Sequence, residues 1–557
     1  MRAPLALAVG LSVTTLSQLA LAQAATTAPS PPTTDAPTTP APVPAPPPPV
    51  PPPPPPRGTG VVDVTTLEHL RDQGILSQAE YELALRDMGA STGTAHAAEA
   101  GTVVLGKWAT TLYGFIEGDT IYDSTQSFSD AAGNAQVLRP SGQMAPFVSN
   151  ISGLQPGSAQ PLQPSQGYLG SHGQTLMSVR NSRLGFRLHA PGTETVHTNA
   201  LVEMDFLGNQ PSVSQTSFFT SPTLRLRHAA VRVETPVVDI LVGQYWHLYG
   251  WIEGYLPNTT EIQGVPGQLY ARAPQVRISK TVKSDAITFE AAIAAVRPPS
   301  LSEVPEGEAG LRFAVNHFTG MHTAGATGTA LTPASIAITG DVRYFEVPEA
   351  ASVIPTSMVN VKSGAGSADV FLPIIPAREG RRGNALSLIA QGSYGAGISD
   401  LYAGMQSGVM FPFVPTQAAL SGAPSWPTNM DQGLVSYDIK SFALHPVQWT
   451  SILAGLEYYL PGLDGKVWIS GNVSHIESSN TANFARAAAD DPNPGVYFYP
   501  ASTAQVRKSE TWWDANFFFD PVNSVRVGVE FAQFLDTYVD GYTATNDRVQ
   551  VSGFFLF

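Results

Sequence analysis

The chain ends in the stretch Arg548-Val-Gln-Val-Ser-Gly-Phe-Phe-Leu-Phe557. Successive residues of a β-strand point to opposite faces, and this stretch separates into an apolar face and a polar face. The apolar face carries Val549, Val551, Gly553, Phe555 and Phe557, and the polar face carries Arg548, Gln550 and Ser552. In a bilayer, only a helix or a closed barrel satisfies every backbone hydrogen bond. The stretch therefore predicts a membrane-spanning strand of an antiparallel up-and-down β-barrel.

The composition agrees with a barrel and argues against a set of soluble domains. Charged residues make up only 13% of the chain, whereas soluble domains carry about 25%. Apolar residues are spread evenly, as expected for strands that have lipid on one side and water on the other. The formal charge of −14 argues against a nucleic-acid partner. The absence of cysteine excludes disulfides and thiol-based sites.

The N-terminal part divides into segments of different composition. Residues 1–24 have the positive start, apolar middle and small-residue end of a secretory signal peptide, with a retained membrane anchor as the alternative. Residues 25–57 are rich in proline and predict a stiff polyproline II rod. This rod is either a periplasmic spacer or a contact with the cell wall. A linker at 90–105 precedes the predicted barrel at 106–557.

Residues 61–89 predict a short helical hairpin. Gly74 is placed to end its first helix, and Ser77-x-x-Glu80 is a capping box that opens the second. A segment of this size is too small to form a stable core alone. We therefore expect it to associate with copies of itself around a trimer axis.

The predicted barrel alternates short and long connections, which is typical of outer-membrane barrels. The short ones lie at 191–194, 235–236, 283–285 and 520–523, and the long ones lie at 124–174, 247–269, 395–433 and 477–509. Counting strands from the two ends gives opposite directions near 434–476. Because bacterial single-chain barrels have even strand numbers, we expect sixteen strands, with eighteen as the alternative.

Charged residues on the polar parity of the strands are predicted to face the lumen. An arginine on the lipid face costs about 2–4 kcal/mol at mid-depth, which favours the inward placement. The predicted pore-lining residues are Arg183, Arg187, Arg225, Arg227, Arg232, Arg277, Arg526, Glu203, Asp205, Glu457 and Glu530. Arg225 and Arg227 share the parity of Arg232 only if a β-bulge intervenes. Opposed arginines and carboxylates either set a field across the channel or form ion pairs that stiffen the wall.

The long connection at 247–269 is aromatic and rich in glycine, unlike a solvated loop. Its apolar content predicts that it folds into the lumen and narrows it; packing on a neighbouring subunit is the alternative. The candidate constriction residues are Trp251, Glu253, Tyr255 and Glu261.

Catalytic motifs are not evident. The chain has no His-Glu-x-x-His, no Gly-x-Ser-x-Gly and no phosphate-binding glycine loop. The histidines are scattered without metal-ligand spacing. We predict neither enzymatic activity nor a cofactor or metal. A Ser/His pair brought together from separate strands, as in an outer-membrane hydrolase, is the alternative.

The order of several motifs resembles the trimeric Gram-negative porins, and among them the DcaP-like group. The motifs are Leu112-Tyr-Gly-Phe-Ile-Glu-Gly-Asp-Thr-Ile-Tyr-Asp123, Arg180-Asn-Ser-Arg-Leu-Gly-Phe186, Glu203-Met-Asp-Phe206, Arg225-Leu-Arg-His-Ala-Ala-Val-Arg232, Val242-Gly-Gln-Tyr-Trp246 and the terminal strand. The resemblance covers roughly residues 106–557. It implies a homotrimer in outer-membrane lipid through which small hydrophilic solutes diffuse, with lumen arginines that favour anions such as dicarboxylates. By position, Arg183, Arg225, Arg227 and Arg277 are the candidates for that role.

The terminal Phe557 resembles the signal that the barrel-assembly machinery recognises during biogenesis. Together these features predict a porin in the outer membrane of a Gram-negative bacterium, with its N-terminal tail in the periplasm. A barrel that tethers the envelope through residues 25–100 is the structural alternative.

Overall fold

The structure is a computed structural model. It describes residues 102–105, 108–128, 136–140, 170–193, 195–208, 223–251, 256–259, 264–298, 302–323, 329–348, 357–377, 382–405, 434–437, 444–481, 507–539 and 541–557. The predicted signal peptide, proline-rich spacer and helical hairpin lie outside the described residues.

Twenty strands account for almost all of the described secondary structure. They are β1 (Thr102–Leu105), β2 (Trp108–Asp123), β3 (Gln174–Ser178), β4 (Arg183–Ala190), β5 (His197–Gly208), β6 (Thr223–Glu234), β7 (Asp239–Trp246), β8 (Arg272–Lys283), β9 (Ile287–Val296), β10 (Glu306–Thr323), β11 (Thr329–Pro348), β12 (Met358–Ile375), β13 (Ala385–Ala396), β14 (Val435–Tyr437), β15 (Leu444–Pro446), β16 (Gln448–Tyr459), β17 (Val467–Ser478), β18 (Arg507–Val522), β19 (Val525–Tyr538) and β20 (Thr543–Leu556). Within the described ranges, no helix is long and apolar enough to cross a membrane.

The strands form a closed antiparallel sixteen-stranded barrel, in which β3 and β4 together count as one strand. Neighbours in sequence pair with each other, and β2 closes the barrel by pairing with β20 along Phe115–Asp123. The strands β3 and β4 both pair with β2 and form one interrupted strand of the barrel. The short strand β1 pairs with the start of β2 and lies in the stretch predicted as linker. The predicted all-β barrel and its leading strand number are confirmed.

The conflict in strand direction near 434–476 has a simple cause. The strands β14 and β15 pair with each other in a separate two-stranded sheet and do not enter the barrel. They belong to the connection between β13 and β16, which are neighbouring strands in the barrel. Short apolar runs such as these resemble barrel strands in sequence, so alternation alone does not separate them.

The two faces of each strand differ in polarity and exposure. In β20, Val549, Val551 and Phe555 are 43%, 45% and 51% exposed, whereas Arg548 and Gln550 between them are fully buried. The same alternation runs through β16 to β19. Exposed apolar side chains on the outside and buried polar ones on the inside are the reverse of a soluble fold, and they suit a barrel surrounded by lipid.

An ion pair lies beside the closing seam. The Arg548 guanidinium on β20 donates two hydrogen bonds of 2.9 Å to the Asp123 carboxylate on β2. Asn546 donates a third, also of 2.9 Å, to the same carboxylate. Both charged side chains are almost completely buried.

We expect Asp123→Asn to destabilise the barrel strongly, because it leaves the buried Arg548 without its counter-charge. Breaking a buried pair from one side costs about 3–5 kcal/mol. Glu477→Gln is the matched control, because its ion pair with Lys508 is about half exposed and exposed pairs contribute only about 0–1 kcal/mol. Urea unfolding in vesicles measures both variants; equal losses of stability would contradict this account.

Candidate functional site

The described parts of the connection between β7 and β8, residues 247–251, 256–259 and 264–271, lie inside the barrel, and we call them the inward loop. Near its start, Leu248 donates its N–H to the Glu308 carboxylate on β10 at 2.7 Å. Farther along, Thr259 donates its N–H to Glu530 on β19 at 2.9 Å and its hydroxyl to the same carboxylate. The Pro257 carbonyl accepts hydrogen bonds from Ser470 and Asn472 on β17. The loop therefore crosses the interior from one wall to the other.

A second connection supports the inward loop. Residues 397–405, which follow β13, run beside it as a short antiparallel pair. Gly267 donates its N–H to the Ala403 carbonyl at 3.0 Å, and Ala403 donates its own to the Gln268 carbonyl at 2.8 Å. Burial raises the pKa of Tyr402 in this connection to about 12, so its hydroxyl stays protonated at neutral pH.

The wall that the inward loop touches is acidic and covered. Glu117, Asp119, Asp514 and Glu530 on β2, β18 and β19 are all 4% exposed or less. Amides and hydroxyls donate to three of them: Ser552 donates to Asp119 at 2.6 Å, Asn472 donates to Asp514 at 2.7 Å, and Thr259 donates to Glu530. Burial keeps these carboxyl groups away from water in the interior.

Another part of the interior holds a cavity of about 650 Å³ with an arginine-rich lining. Its lining includes Tyr113, Phe115, Arg183, Arg187, Leu201, Glu203, Arg227, His228, Tyr245 and Trp246. The Arg187 side chain is exposed and lies 4.3 Å from the centre of the Tyr113 ring. Aromatic faces keep a guanidinium in place without neutralising it.

The centre of this lining is Arg227, which is fully buried. Its guanidinium donates to Glu203 at 2.6 Å, to Asp205 at 3.1 Å and to the Tyr270 hydroxyl of the inward loop at 3.2 Å. Arg225 forms a two-bond pair with Asp205, at 3.0 and 2.7 Å. The arginines thus form ion pairs within the wall, and the field across the channel stays a prediction.

A β-bulge brings Arg225 and Arg227 to the same side as Arg232. Glu203 pairs with His228 and Met204 pairs with Leu226, so Arg227 is the extra residue. This bulge is the feature that the sequence pattern required for an inward placement of Arg225 and Arg227.

Arg272, at the start of β8, was missed by the sequence reasoning. Its guanidinium lies 4.7 Å from the centre of the Trp246 ring, which lines the cavity, and 5.7 Å from that of Tyr270. No carboxylate among the described residues pairs with it, and its Nη1 atom is buried without a hydrogen-bond partner. Strand parity groups Arg272 with exposed Pro274 and Val276, so only the aromatic neighbours could have identified it.

The other predicted charged residues occupy separate places on the polar face. Arg232 is partly exposed and pairs with Asp239 at 2.6 Å. The Arg277 guanidinium donates a hydrogen bond of 2.6 Å to the Trp246 carbonyl. Arg526 is buried against Asp520 at 2.8 Å, and Glu457 is buried against His322 at 3.2 Å. These four are held by local partners and do not belong to the cavity lining.

The predicted constriction residues are only partly described. The Trp251 ring packs over Gly310 of β10, where a Cβ atom would lie 2.7 Å from it. Glu253, Tyr255 and Glu261 lie outside the described residues. At the C-terminus, Phe557 exchanges two backbone hydrogen bonds with Gly114; its role in assembly stays a prediction.

No protein-family model matches the chain, and no curated protein matches it. Solved structures do. The outer-membrane channel DcaP of Acinetobacter baumannii superposes with a TM-score of 0.50 at 14% identity, over 83% of this chain and 99% of that chain. An anion-selective porin from Comamonas acidovorans gives a TM-score of 0.39 at 8% identity, over 81% and 100%. OprB of Pseudomonas putida gives 0.39 at 9%, over 80% and 94%. The structural neighbours of this chain are outer-membrane porins, and it shares their barrel fold.

Proposed function

We propose that the chain is an outer-membrane porin through which small hydrophilic solutes diffuse passively, with a preference for anions of the dicarboxylate type. The observation that carries the proposal is the arginine-rich cavity inside a closed barrel whose outside is apolar. Solutes need no cofactor or reaction for such a passage, so we assign no catalytic role.

The charge distribution supports the anion preference. Beside the cavity, the arginines Arg183, Arg225 and Arg227 form ion pairs with two carboxylates, those of Glu203 and Asp205, and Arg187 rests on the Tyr113 ring. Elsewhere in the interior, the Glu530 carboxylate accepts hydrogen bonds from the inward loop. A permeating ion would therefore meet more positive than negative charge. Rings of charged side chains are a general source of selectivity in pores.

The homotrimer and the DcaP-like grouping remain parts of the proposal that rest on the sequence motifs. The tether alternative depends on residues 25–100, all of which lie outside the described ranges, and the hydrolase alternative depends on a Ser/His pair from separate strands. The arginine-rich cavity favours the pore, so we retain the pore as the single proposed function.

We expect purified protein in a planar bilayer to give steady conductance in steps of three, with a reversal potential that indicates anion preference. The Arg187→Glu variant should lower the anion-to-cation permeability ratio several-fold, because one unit charge contributes on the order of 1 kcal/mol at ~4 Å in water. Lys466→Glu makes the same change of charge in an exposed turn outside the lumen and should leave the ratio unchanged. A barrel that inserts without conducting would overturn the pore proposal.

The tip of the inward loop gives a second test. Thr259→Val removes the hydroxyl bond to Glu530 and should cost about 1 kcal/mol of stability. It should also increase open-channel current noise, because the loop loses one of its contacts with the far wall. Thr543→Val is the control, since its hydroxyl pairs with Thr537 at an exposed position. Unchanged noise in Thr259→Val, relative to that control, would show that the loop does not restrict the current.

A further inference from the structure

The start of the inward loop contains three side chains that can bind one metal ion. His247, Glu306 and Glu308 each offer one donor atom, and these atoms lie within 4.8 Å of one another. The His247 Nδ1 atom lies 2.7 Å from a Glu308 oxygen and 3.8 Å from a Glu306 oxygen. All three side chains are buried.

The barrel wall places a third carboxylate beside them. Glu306 and Glu308 are two residues apart and share the inner face of β10, and Asp341 of β11 is the register partner of Glu308. The Asp341 side chain is 2% exposed and lies beside the Glu306 carboxyl group. Its nearest ionic partner is the Arg343 Nε atom, at 3.4 Å. Two buried carboxylates side by side repel each other unless a proton or a cation lies between them.

The charges of the cluster do not balance within the protein. Four carboxylates converge here, those of Glu306, Glu308, Asp341 and Asp400, and Arg343 pairs with three of them. Arg277 is close enough to act electrostatically on Glu308, and a protonated His247 would supply a further positive charge. One negative charge is then left over in a buried environment, where unpaired charge is strongly unfavourable.

We propose that this cluster is a site for one divalent transition-metal cation of the Zn²⁺ or Mn²⁺ class. The ligands would be His247 Nδ1 and one oxygen each of Glu306 and Glu308, with the Asp341 carboxylate next to them. Metal–ligand bonds of about 2.0–2.2 Å require donors about 3–3.5 Å apart, and the observed separations of 2.7 and 3.8 Å lie on either side of that range. Binding would replace the hydrogen bond between His247 Nδ1 and Glu308.

The donor set determines the class of cation. Imidazole nitrogen suits zinc and its neighbours, whereas Ca²⁺ and Mg²⁺ prefer oxygen ligands alone. Arg343 keeps its contacts with Asp400 and Glu306, which orients the ligands. The backbone N–H of Leu248 donates a hydrogen bond to the second oxygen of Glu308. The ion would therefore connect the start of the inward loop to the barrel wall.

No linear motif indicates this site. His247 is separated from Glu308 by 61 positions, so histidine spacing along the chain gave no metal prediction. Only the barrel brings the three segments together.

Calorimetric titration of tag-free, chelator-treated barrel in detergent tests the proposal, with ZnCl₂ and MnCl₂ as probes and CaCl₂ and MgCl₂ as comparisons. We expect one equivalent of Zn²⁺ or Mn²⁺ per chain and much weaker binding of Ca²⁺ and Mg²⁺. Glu308→Gln and Asp341→Asn should each weaken binding by more than about tenfold, a loss that even second-shell changes produce. Heat-modifiable migration on gels verifies that each variant is folded.

Glu457→Gln is the matched control, because Glu457 forms the other buried His–Glu pair, with His322, and that pair belongs to no metal-competent group among the described residues. It should bind the metal as wild type does. Zn²⁺ should also raise the urea midpoint of wild type and the control, but not of Glu308→Gln. Absence of binding, or equal binding by wild type and the two site variants, would overturn the proposal and leave a charge network only.

Discussion

A closed ring of backbone hydrogen bonds is the constraint on which the rest of the structure depends. A bilayer offers no hydrogen-bond partners to unpaired backbone N–H and C=O groups, so the first strand of the barrel must pair with the last. Here β2 pairs with β20 from Phe115 to Asp123, and the buried pair of Asp123 and Arg548 reinforces the seam. Once the ring is closed, the alternation of each strand determines which side chains face outward and which face the interior.

Closure places many polar groups in the interior. The carboxylates and the arginines there have different surroundings. Near β18 and β19, the Glu530 carboxylate accepts hydrogen bonds from Thr259 of the inward loop, and Asp514 accepts one from Asn472. The arginines near β4 and β6 line a cavity and rest on aromatic rings. The inward loop thus acts as a partition inside the barrel. Under the proposed function, this partition would leave an anion pathway in a chain whose formal net charge is −14.

The strands and faces could be predicted from the sequence because strand alternation is a local property. The polarity of residues such as Val549 and Gln550 indicates which face of the sheet they occupy. Features that depend on distant segments could not be predicted. The aromatic stack around Arg272 and the meeting of His247 with Glu308 each join parts of the chain that alternation treats separately. The hairpin of β14 and β15 shows the same limit, since its strands resemble barrel strands but pair only with each other.

The position of the inward loop is the central claim, and cross-linking tests it most directly. The chain has no native cysteine, so a pair introduced by Thr259→Cys and Glu530→Cys reports only on this contact. With a short bifunctional thiol reagent in native membranes, the account predicts efficient cross-linking and preserved anion-selective conductance. The pair Thr259→Cys and Thr543→Cys should not cross-link. Failure of the first pair to react, or loss of all current once it has reacted, would contradict the account.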